Sequence, residues 1–415
     1  MTEAAGSFQK TESGKRLTQI MTDSYRCLHQ RAGDGAFVVW IAIVVPAEIF
    51  AGFENVVYAV PEAHAAMSAG KGVGFLQCEK AEARGYSMDL CSYARIDLGT
   101  VFDGGKDSPS FGLPKPHLLI SDNNNCSLLV KWFDVHHRML NVPHFLIDVP
   151  FAYDRQKEND LKYIVSQFHD LILYIEQLSG QKFDIDRVRD AVRRTADATR
   201  QWKRFLRCAE HKPSGITAFD SFVQMAPLLT DRGSEQLINH YRLLAEETEM
   251  RMAQGIYPVP DERYRLLWDN IAPWHQLRSM SRRLAGVRAN IISASYTYCV
   301  GSIEGEYDMF ECNDDDPLAI LARLQNFSVC PMGLANRRRA MTESIRRNAI
   351  DGVVFASNRS CKVYSLMQMD QMRLVSEHVG VPCIMIDVDH ADLRKYSEEA
   401  AFTRIEALLE RIRGN

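Results

Sequence analysis

Two stretches of the chain share one pattern of apolar and polar positions. The apolar runs His117-Leu118-Leu119-Ile120 and Gly352-Val353-Val354-Phe355-Ala356 are short and rich in branched residues, as expected of strands buried on both faces of a parallel sheet. A polar turn follows each, Ser121-Asp122-Asn123-Asn124-Asn125 and Ser357-Asn358-Arg359-Ser360, then a cysteine, Cys126 or Cys361, then a helical pattern. Beyond each helix the chain reads Asn141-Val142-Pro143 leading to Ile147-Asp148-Val149, and Gly380-Val381-Pro382 leading to Ile386-Asp387-Val388. One half of the chain therefore reads as a diverged copy of the other. Each cysteine is expected where a strand ends and a helix begins.

The remaining pattern fills in around these two units. Residues 1–35 form a polar leader with a helix near Lys15 to Gln30. Phe37 to Val45 is a continuous apolar strand, Pro46 and Glu48 open a helix, Asn55 to Val60 is a second strand, and Pro61-Glu62-Ala63-His64 turns into the next helix. A helix from Gln77 to Arg84 leads through Gly85-Tyr86-Ser87 to another ending near Val101, with Ser87 as its expected N-cap and Cys91 in its early turns. Asp103 to Pro116, punctuated by Gly104, Gly105, Pro109, Gly112 and Pro114, is a loop. From Arg155 to about Gln254 the pattern is helical and charged, with a cap in Lys182-Phe183-Asp184-Ile185-Asp186 before Arg187 to Leu206. A strand from Tyr264 to Trp268, a helix after Trp274 and a strand from Ala289 to Ser295 come next. An acidic loop from Glu304 to Asp316 and helices near Pro317 to Leu324 and Arg337 to Arg347 then precede the second cysteine strand, and Glu398 to Arg413 is the last helix. Strands alternating with helices predict an α/β protein. It has two similar, open, mainly parallel-sheet lobes at residues 36–155 and 261–415, joined by a helical connection over residues 156–260.

Composition narrows the class. A chain of 415 residues exceeds what one hydrophobic core supports. With 46% hydrophobic and 25% charged residues and a formal net charge of -4, it reads as a soluble protein, not a basic nucleic-acid binder. The longest apolar run, Ala36 to Phe50, is broken by Pro46 and Glu48 and lies too far in for a signal peptide, so a cytoplasmic protein with no membrane partner is expected. In that reducing compartment the ten cysteines point to metal or redox chemistry ahead of disulfides. No Cys-x-x-Cys pair occurs, so a metal site must be assembled from distant positions. No phosphate loop or dinucleotide fingerprint is present, and Arg282-Arg283 and Arg337-Arg338-Arg339 read as solvated helix faces.

The repeat gives two of these cysteines a chemical meaning. A helix N-terminus presents unpaired N–H groups and the positive end of the dipole, which favour a thiolate or an anionic cluster. A lone cysteine at such a turn is ordinarily an inert buried residue; the repeated context of Cys126 and Cys361 favours a pair facing each other across a cleft. Glu62 occupies a further strand-to-helix junction on the same face. It is either a first-turn acid favoured by the dipole or an acid poised beside the cysteines.

Several stretches together resemble the alpha subunit of the (R)-2-hydroxyacyl-CoA dehydratases, a family shared with benzoyl-CoA reductase subunits. They are Pro61-Glu62-Ala63-His64-Ala65-Ala66, Cys78-Glu79-Lys80-Ala81-Glu82, Gly85-Tyr86-Ser87-Met88-Asp89-Leu90-Cys91-Ser92-Tyr93-Ala94-Arg95, Asn124-Asn125-Cys126 with Lys131-Trp132, Lys212-Pro213-Ser214, Asn358-Arg359-Ser360-Cys361-Lys362, and Asp389-His390-Ala391-Asp392 with Ser397-Glu398. The resemblance implies one [4Fe-4S] cluster held by Cys91, Cys126 and Cys361, with the fourth iron open. It makes Glu62 the candidate acid or base beside that iron, where an ionised carboxylate could bond the substrate hydroxyl or take a proton; Cys78 is left as structural. It further implies a one-electron elimination of water from a 2-hydroxyacyl-CoA thioester through a ketyl radical anion. The implied partners are a beta subunit of the same family, or a second copy of this chain, and an ATP-hydrolysing iron–sulfur activator protein. In one place the chain departs from the pattern: where these dehydratases carry a serine five residues before Glu48, it has Ile43. The apolar residue keeps open an aryl-CoA or other low-potential reductase, and a third role as an electron-relay or scaffold subunit.

Overall fold

The computed structural model describes residues 11–298, 315–326 and 333–414. Helix α1 (Glu12–Gly33) starts at Thr11, whose side chain accepts from the Gly14 amide as an N-cap. The first lobe then runs β1 (Phe37–Ile41), β2 (Val56–Ala59), α2 (Pro61–Gly70), α3 (Gly74–Glu82), α4 (Ser92–Phe102), β3 (Leu118–Asp122), α5 (Ser127–Leu140) and β4 (His144–Ile147). The helical stretch comprises α6 (Glu158–Ser179), α7 (Ile185–Arg207), α8 (Ala218–Gln224), α9 (Pro227–Thr230) and α10 (Glu235–Ala253). The second lobe runs β5 (Tyr264–Asp269), α11 (Leu277–Gly286), β6 (Ala289–Ala294), α12 (Pro317–Asn326), α13 (Leu334–Arg347), β7 (Gly352–Asn358), α14 (Lys362–Leu366), α15 (Gln368–His378), β8 (Cys383–Val388) and α16 (Glu398–Gly414).

Each lobe holds one four-stranded sheet, all parallel, in the order β2-β1-β3-β4 and β6-β5-β7-β8. The two orders are the same when counted from each lobe's first strand, so the repeat in the sequence is a repeat of topology. Strands β3 and β7 sit second from one edge with both faces covered; Leu118, Leu119, Ile120, Val353, Val354 and Phe355 are fully buried. This is why they read as unbroken apolar runs. In each sheet the chain leaves the first strand toward one edge and returns on its other side. That makes a switch point between β1 and β3, and another between β5 and β7, where open parallel sheets bind ligands beyond the carboxyl ends of their strands.

Several expected boundaries move. Strand β1 ends at Ile41, and Pro46 opens a 3-10 turn over Ala47–Gly52 in place of an α-helix. Ser87 is not the cap of α4: it heads a separate turn, its hydroxyl accepting from Asp89 N, and Cys91 itself is the N-cap residue. Arg337 is not on a solvated face. Its side chain is 3% exposed, 3.3 Å from Asp269 and stacked 3.9 Å above the Tyr364 ring. The acidic stretch from Glu304 to Asp314, with Cys299, Cys312 and Cys330, lies outside the described residues. Among the described residues no helix is long and apolar enough to cross a membrane.

Candidate functional site

The three cysteines singled out in the sequence occupy one structural position in three different places: each is the N-cap of a helix. Cys91 precedes α4, Cys126 precedes α5 and Cys361 precedes α14, so each sits beside helix N–H groups that have no acceptor within the helix. Cys91 and Cys126 lie in the first lobe and Cys361 in the second, yet both Cys361 and Cys126 act on the charge of Cys91. All three residues are partly exposed, whereas Cys78 is fully buried, its Sγ 3.8 Å from the Ser92 carbonyl. Burial pushes the Cys78 thiol up to about 12, which fits an inert structural residue.

A polar chain across the lobe boundary brings Cys91 to Cys361. The Ser92 amide, at the start of α4, donates to Ser360 Oγ at 3.3 Å, so the residue before Cys361 caps the helix that follows Cys91. Ser360 Oγ donates to Asp389 Oδ2 at 2.7 Å and lies 3.2 Å from Ser92 Oγ. His390 Nε2 lies 2.9 Å from Ser92 Oγ and 3.7 Å from Cys91 Sγ, with its ring edge-on to Tyr93 at 4.3 Å between centroids. Behind this chain Arg95, wholly buried, pairs with Glu82 at 2.6 Å and Asp392 at 2.8 Å, and Arg394 pairs with the same two acids. Two lobes that share no strand are thus fastened beside Cys91.

The first-lobe turn is shaped by Asp122, the last residue of β3. Its Oδ1 accepts from the amides of Asn124 at 3.0 Å and Asn125 at 2.7 Å, an Asx turn that presents Cys126 at the head of α5. Burial pushes this carboxyl up to about 6 in spite of those two donors.

Glu62 enters the site from the first turn of α2, next to Pro61 at the helix start. It is 4% exposed, its Oε1 accepts from the Ile43 amide at 3.0 Å, and its Oε2 has no hydrogen-bond partner among the described residues. Burial pushes its pKa up to about 8, the Ile43 and Glu62 amides oppose this, and the nearby charges of Asp97 and Asp122 add to it. Burial therefore favours the protonated form of this carboxyl near neutral pH. Glu62 also acts on the charge of Cys126, and together with Cys91 and Cys361 on that of Tyr93. Carboxyl and thiols accordingly share one neighbourhood at the carboxyl end of the first sheet. Ile43 supplies main chain where a serine would supply a hydroxyl: its amide holds Glu62, and its carbonyl accepts from Arg232 at 3.0 Å.

Sequence reasoning missed the residues that do the fastening. Ser92, Ser360, Asp389 and His390 all fall inside the stretches that carried the resemblance, but none has a spacing that announces a role. Arg232, which holds the carbonyls of Ile43 and Val45 beside the buried Glu48, gave no sequence signal at all.

Among the described residues no three His, Cys, Asp or Glu side chains converge on a single metal ion. Three thiols at three helix N-termini can instead hold a polynuclear group, in which each metal takes its own thiolate. A mononuclear tetrahedral site would need its ligands about 2.0–2.3 Å from one ion.

Residues 42–412 match the family model for 2-hydroxyglutaryl-CoA dehydratase, D-component. The chain is 32% identical to the (R)-phenyllactyl-CoA dehydratase alpha subunit of Clostridium sporogenes over 91% of its own length and 89% of the relative's. It is 30% identical to the (R)-2-hydroxyisocaproyl-CoA dehydratase alpha subunit of Clostridioides difficile, over 97% of this chain and 96% of that one. A benzoyl-CoA reductase subunit from Thauera aromatica is 27% identical over 80% of this chain and 78% of its own. The protein is accordingly a member of the 2-hydroxyglutaryl-CoA dehydratase D-component family.

Proposed function

We propose that this chain is the cluster-bearing subunit of an (R)-2-hydroxyacyl-CoA dehydratase-like enzyme, with Cys91, Cys126 and Cys361 as the ligands of one [4Fe-4S] cluster. The observation that carries this is the set of three helix-capping thiols, drawn from both lobes, beside a buried carboxyl with one unpartnered oxygen. When bound, such a cluster supplies a one-electron donor and an iron open to substrate oxygen. Three positive helix ends offset the negative charge of the ligated group. Burial raises Cys91 and Cys126 above the ordinary thiol range, so both stay protonated until a metal centre draws their protons off.

Glu62 is the acid or base of the reaction. Its Oε1 is fixed by the Ile43 amide, leaving Oε2 to meet the substrate. Protonated near neutral pH, it can give a proton to the departing hydroxyl and take one back as the product forms. Ile43, apolar in place of a serine, favours an apolar acyl group. The enzyme works in the cytoplasm with a beta subunit of the same family, or a second copy of this chain, and receives electrons from an ATP-hydrolysing iron–sulfur activator.

Ile43 also supports a second reading, an aryl-CoA or other low-potential reductase of the benzoyl-CoA type. Protein, partner, activator and ATP are offered a 2-hydroxyacyl-CoA and an aryl-CoA in parallel. Water loss without net electron consumption is the expected result, and stoichiometric electron uptake with the aryl thioester alone would favour the reductase. A protein purified without oxygen that holds no iron would overturn both readings.

A further inference from the structure

His390 stands nearly 300 residues from Cys91 in sequence and beside it in space. It reaches the site from the loop after β8, in the opposite lobe, and is fully buried. Its Nε2 is 2.9 Å from Ser92 Oγ and 3.7 Å from Cys91 Sγ, while its Nδ1 has no partner among the described residues.

Asp389 can only accept: it takes the Ser360 hydroxyl at 2.7 Å, and the Ser92 side chain acts on its charge as a donor. His390 Nδ1 is buried with no partner among the described residues, and a bare ring nitrogen there costs less than an unpaired N–H. Both points leave Ser92 Oγ as the acceptor from His390. The hydrogen is thus assigned to Nε2, from the pattern of partners. The same N–H has the Cys91 sulfur as its second acceptor, within the longer reach of sulfur. Around it, the Trp274 amide donates to the His390 carbonyl at 3.1 Å, and the Tyr93 ring packs edge-on against the imidazole at 4.3 Å. The ring therefore has a defined orientation.

We propose that His390 is a positioning residue that donates from the second lobe to the sulfur of Cys91 and thereby tunes the reduction potential of the group the three thiolates hold. This inference rests on the cluster assignment made above. A hydrogen bond to a ligated sulfur stabilises the more negatively charged, reduced state, so removing it makes reduction harder. Because the donor comes from one lobe and the thiolate from the other, the tuning depends on the seam being closed. The Ser92–Ser360–Asp389 chain keeps it closed.

The test compares the holoprotein purified without oxygen with its His390→Phe and His390→Gln variants, reading iron per chain, the electron paramagnetic resonance spectrum and the midpoint potential. Phenylalanine keeps a ring against Tyr93 but removes the N–H; glutamine keeps a donor. H390F is expected to retain its iron and to become about tenfold harder to reduce, a shift of about 59 mV to more negative potential for a one-electron couple. H390Q is expected to stay close to wild type. Loss of iron by H390F with full iron and an unchanged potential in H390Q would also support the donor. A wild-type potential in H390F, an equal shift in both variants, or loss of iron by both would overturn the proposal, because the N–H would then not be what matters. A wild-type protein without iron would instead bring down the cluster assignment itself, and this inference with it.

Discussion

The two lobes share a strand order and a cysteine at the same junction, yet they treat their switch points in opposite ways. In the second lobe the crevice between β5 and β7 is filled with bonded side chains. Asp269, wholly buried, accepts from Ser295 Oγ at 2.8 Å, Gln368 Nε2 at 2.9 Å and Arg337 Nη2 at 3.3 Å, so both its oxygens are used. Asn270, held at a φ of 102°, donates to the Ala356 carbonyl at 2.8 Å and lies 3.2 Å from Ser365 Oγ. In the first lobe the acids at the corresponding end of the sheet, Glu62 and Asp122, each keep one oxygen without a partner among the described residues. Both carboxyls are pushed upward by burial. A buried polar group without a partner is costly, and such costs gather where chemistry is done. The acids of the first-lobe crevice are each open on one side, while Asp269 of the second-lobe crevice is tied into the fold through both oxygens. The second lobe brings Cys361 and His390 to the site, with the seam that holds them there.

The largest expected effect tests whether both lobes contribute a ligand. Replacing Cys126 or Cys361 by alanine should each abolish the brown colour and the iron, about four per chain in the intact protein for one cluster of this type. A C361A protein with full iron and an unchanged spectrum would show that the first lobe holds the group alone. Next in size is Glu62→Gln, which preserves the oxygen that accepts from Ile43 but cannot exchange a proton. Turnover should fall about 10²–10⁴-fold with iron content unchanged, the usual range for losing a general acid or base. The wild-type rate should also fall as pH rises through about 8, where the Glu62 carboxyl loses its proton; a rate that does not change across that pH would sink this role.

The same change made in the other crevice should act on stability instead. Asp269→Ala removes the buried acid that pairs with Arg337 and accepts from Ser295 and Gln368, and unfolding in denaturant should reveal a loss of about 3–5 kcal/mol. Iron affinity in the protein that remains folded should be little altered.

The smallest effect concerns the seam. Burial pushes the Asp392 carboxyl up, but hydrogen bonds from Arg394 and Arg95 overcome this and hold its pKa well below the ordinary range. A depressed folded pKa gives stability that is present above the unfolded value, about 3.9, and is lost as pH falls through the folded one. Asp392→Asn should therefore cost about 1–3 kcal/mol near neutral pH. The gap to wild type should begin to narrow below about pH 4 and keep narrowing as the buffer is made more acid, which thermal unfolding in neutral and increasingly acid buffers would measure.

What the sequence determined by itself was local and periodic. Short apolar runs fixed β3 and β7 because a strand covered on both faces has no polar side to show. The polar turn after each placed Cys126 and Cys361 at helix starts, and Pro61 placed Glu62 in a first turn. The duplication was legible because a common strand order leaves a common punctuation of strand, turn, cysteine and helix. Only the tertiary structure decided which side chains meet. Ser360 caps the helix of Cys91 from 268 residues away, and His390 reaches the same sulfur from the far lobe. Arg337 looked like part of a solvated basic face until Asp269 and Tyr364 closed around it. Hydrogen bonds and ion pairs between distant segments have no period along the chain, so nothing in the order of residues encodes them. They exist only once two lobes, each legible by itself, are brought together.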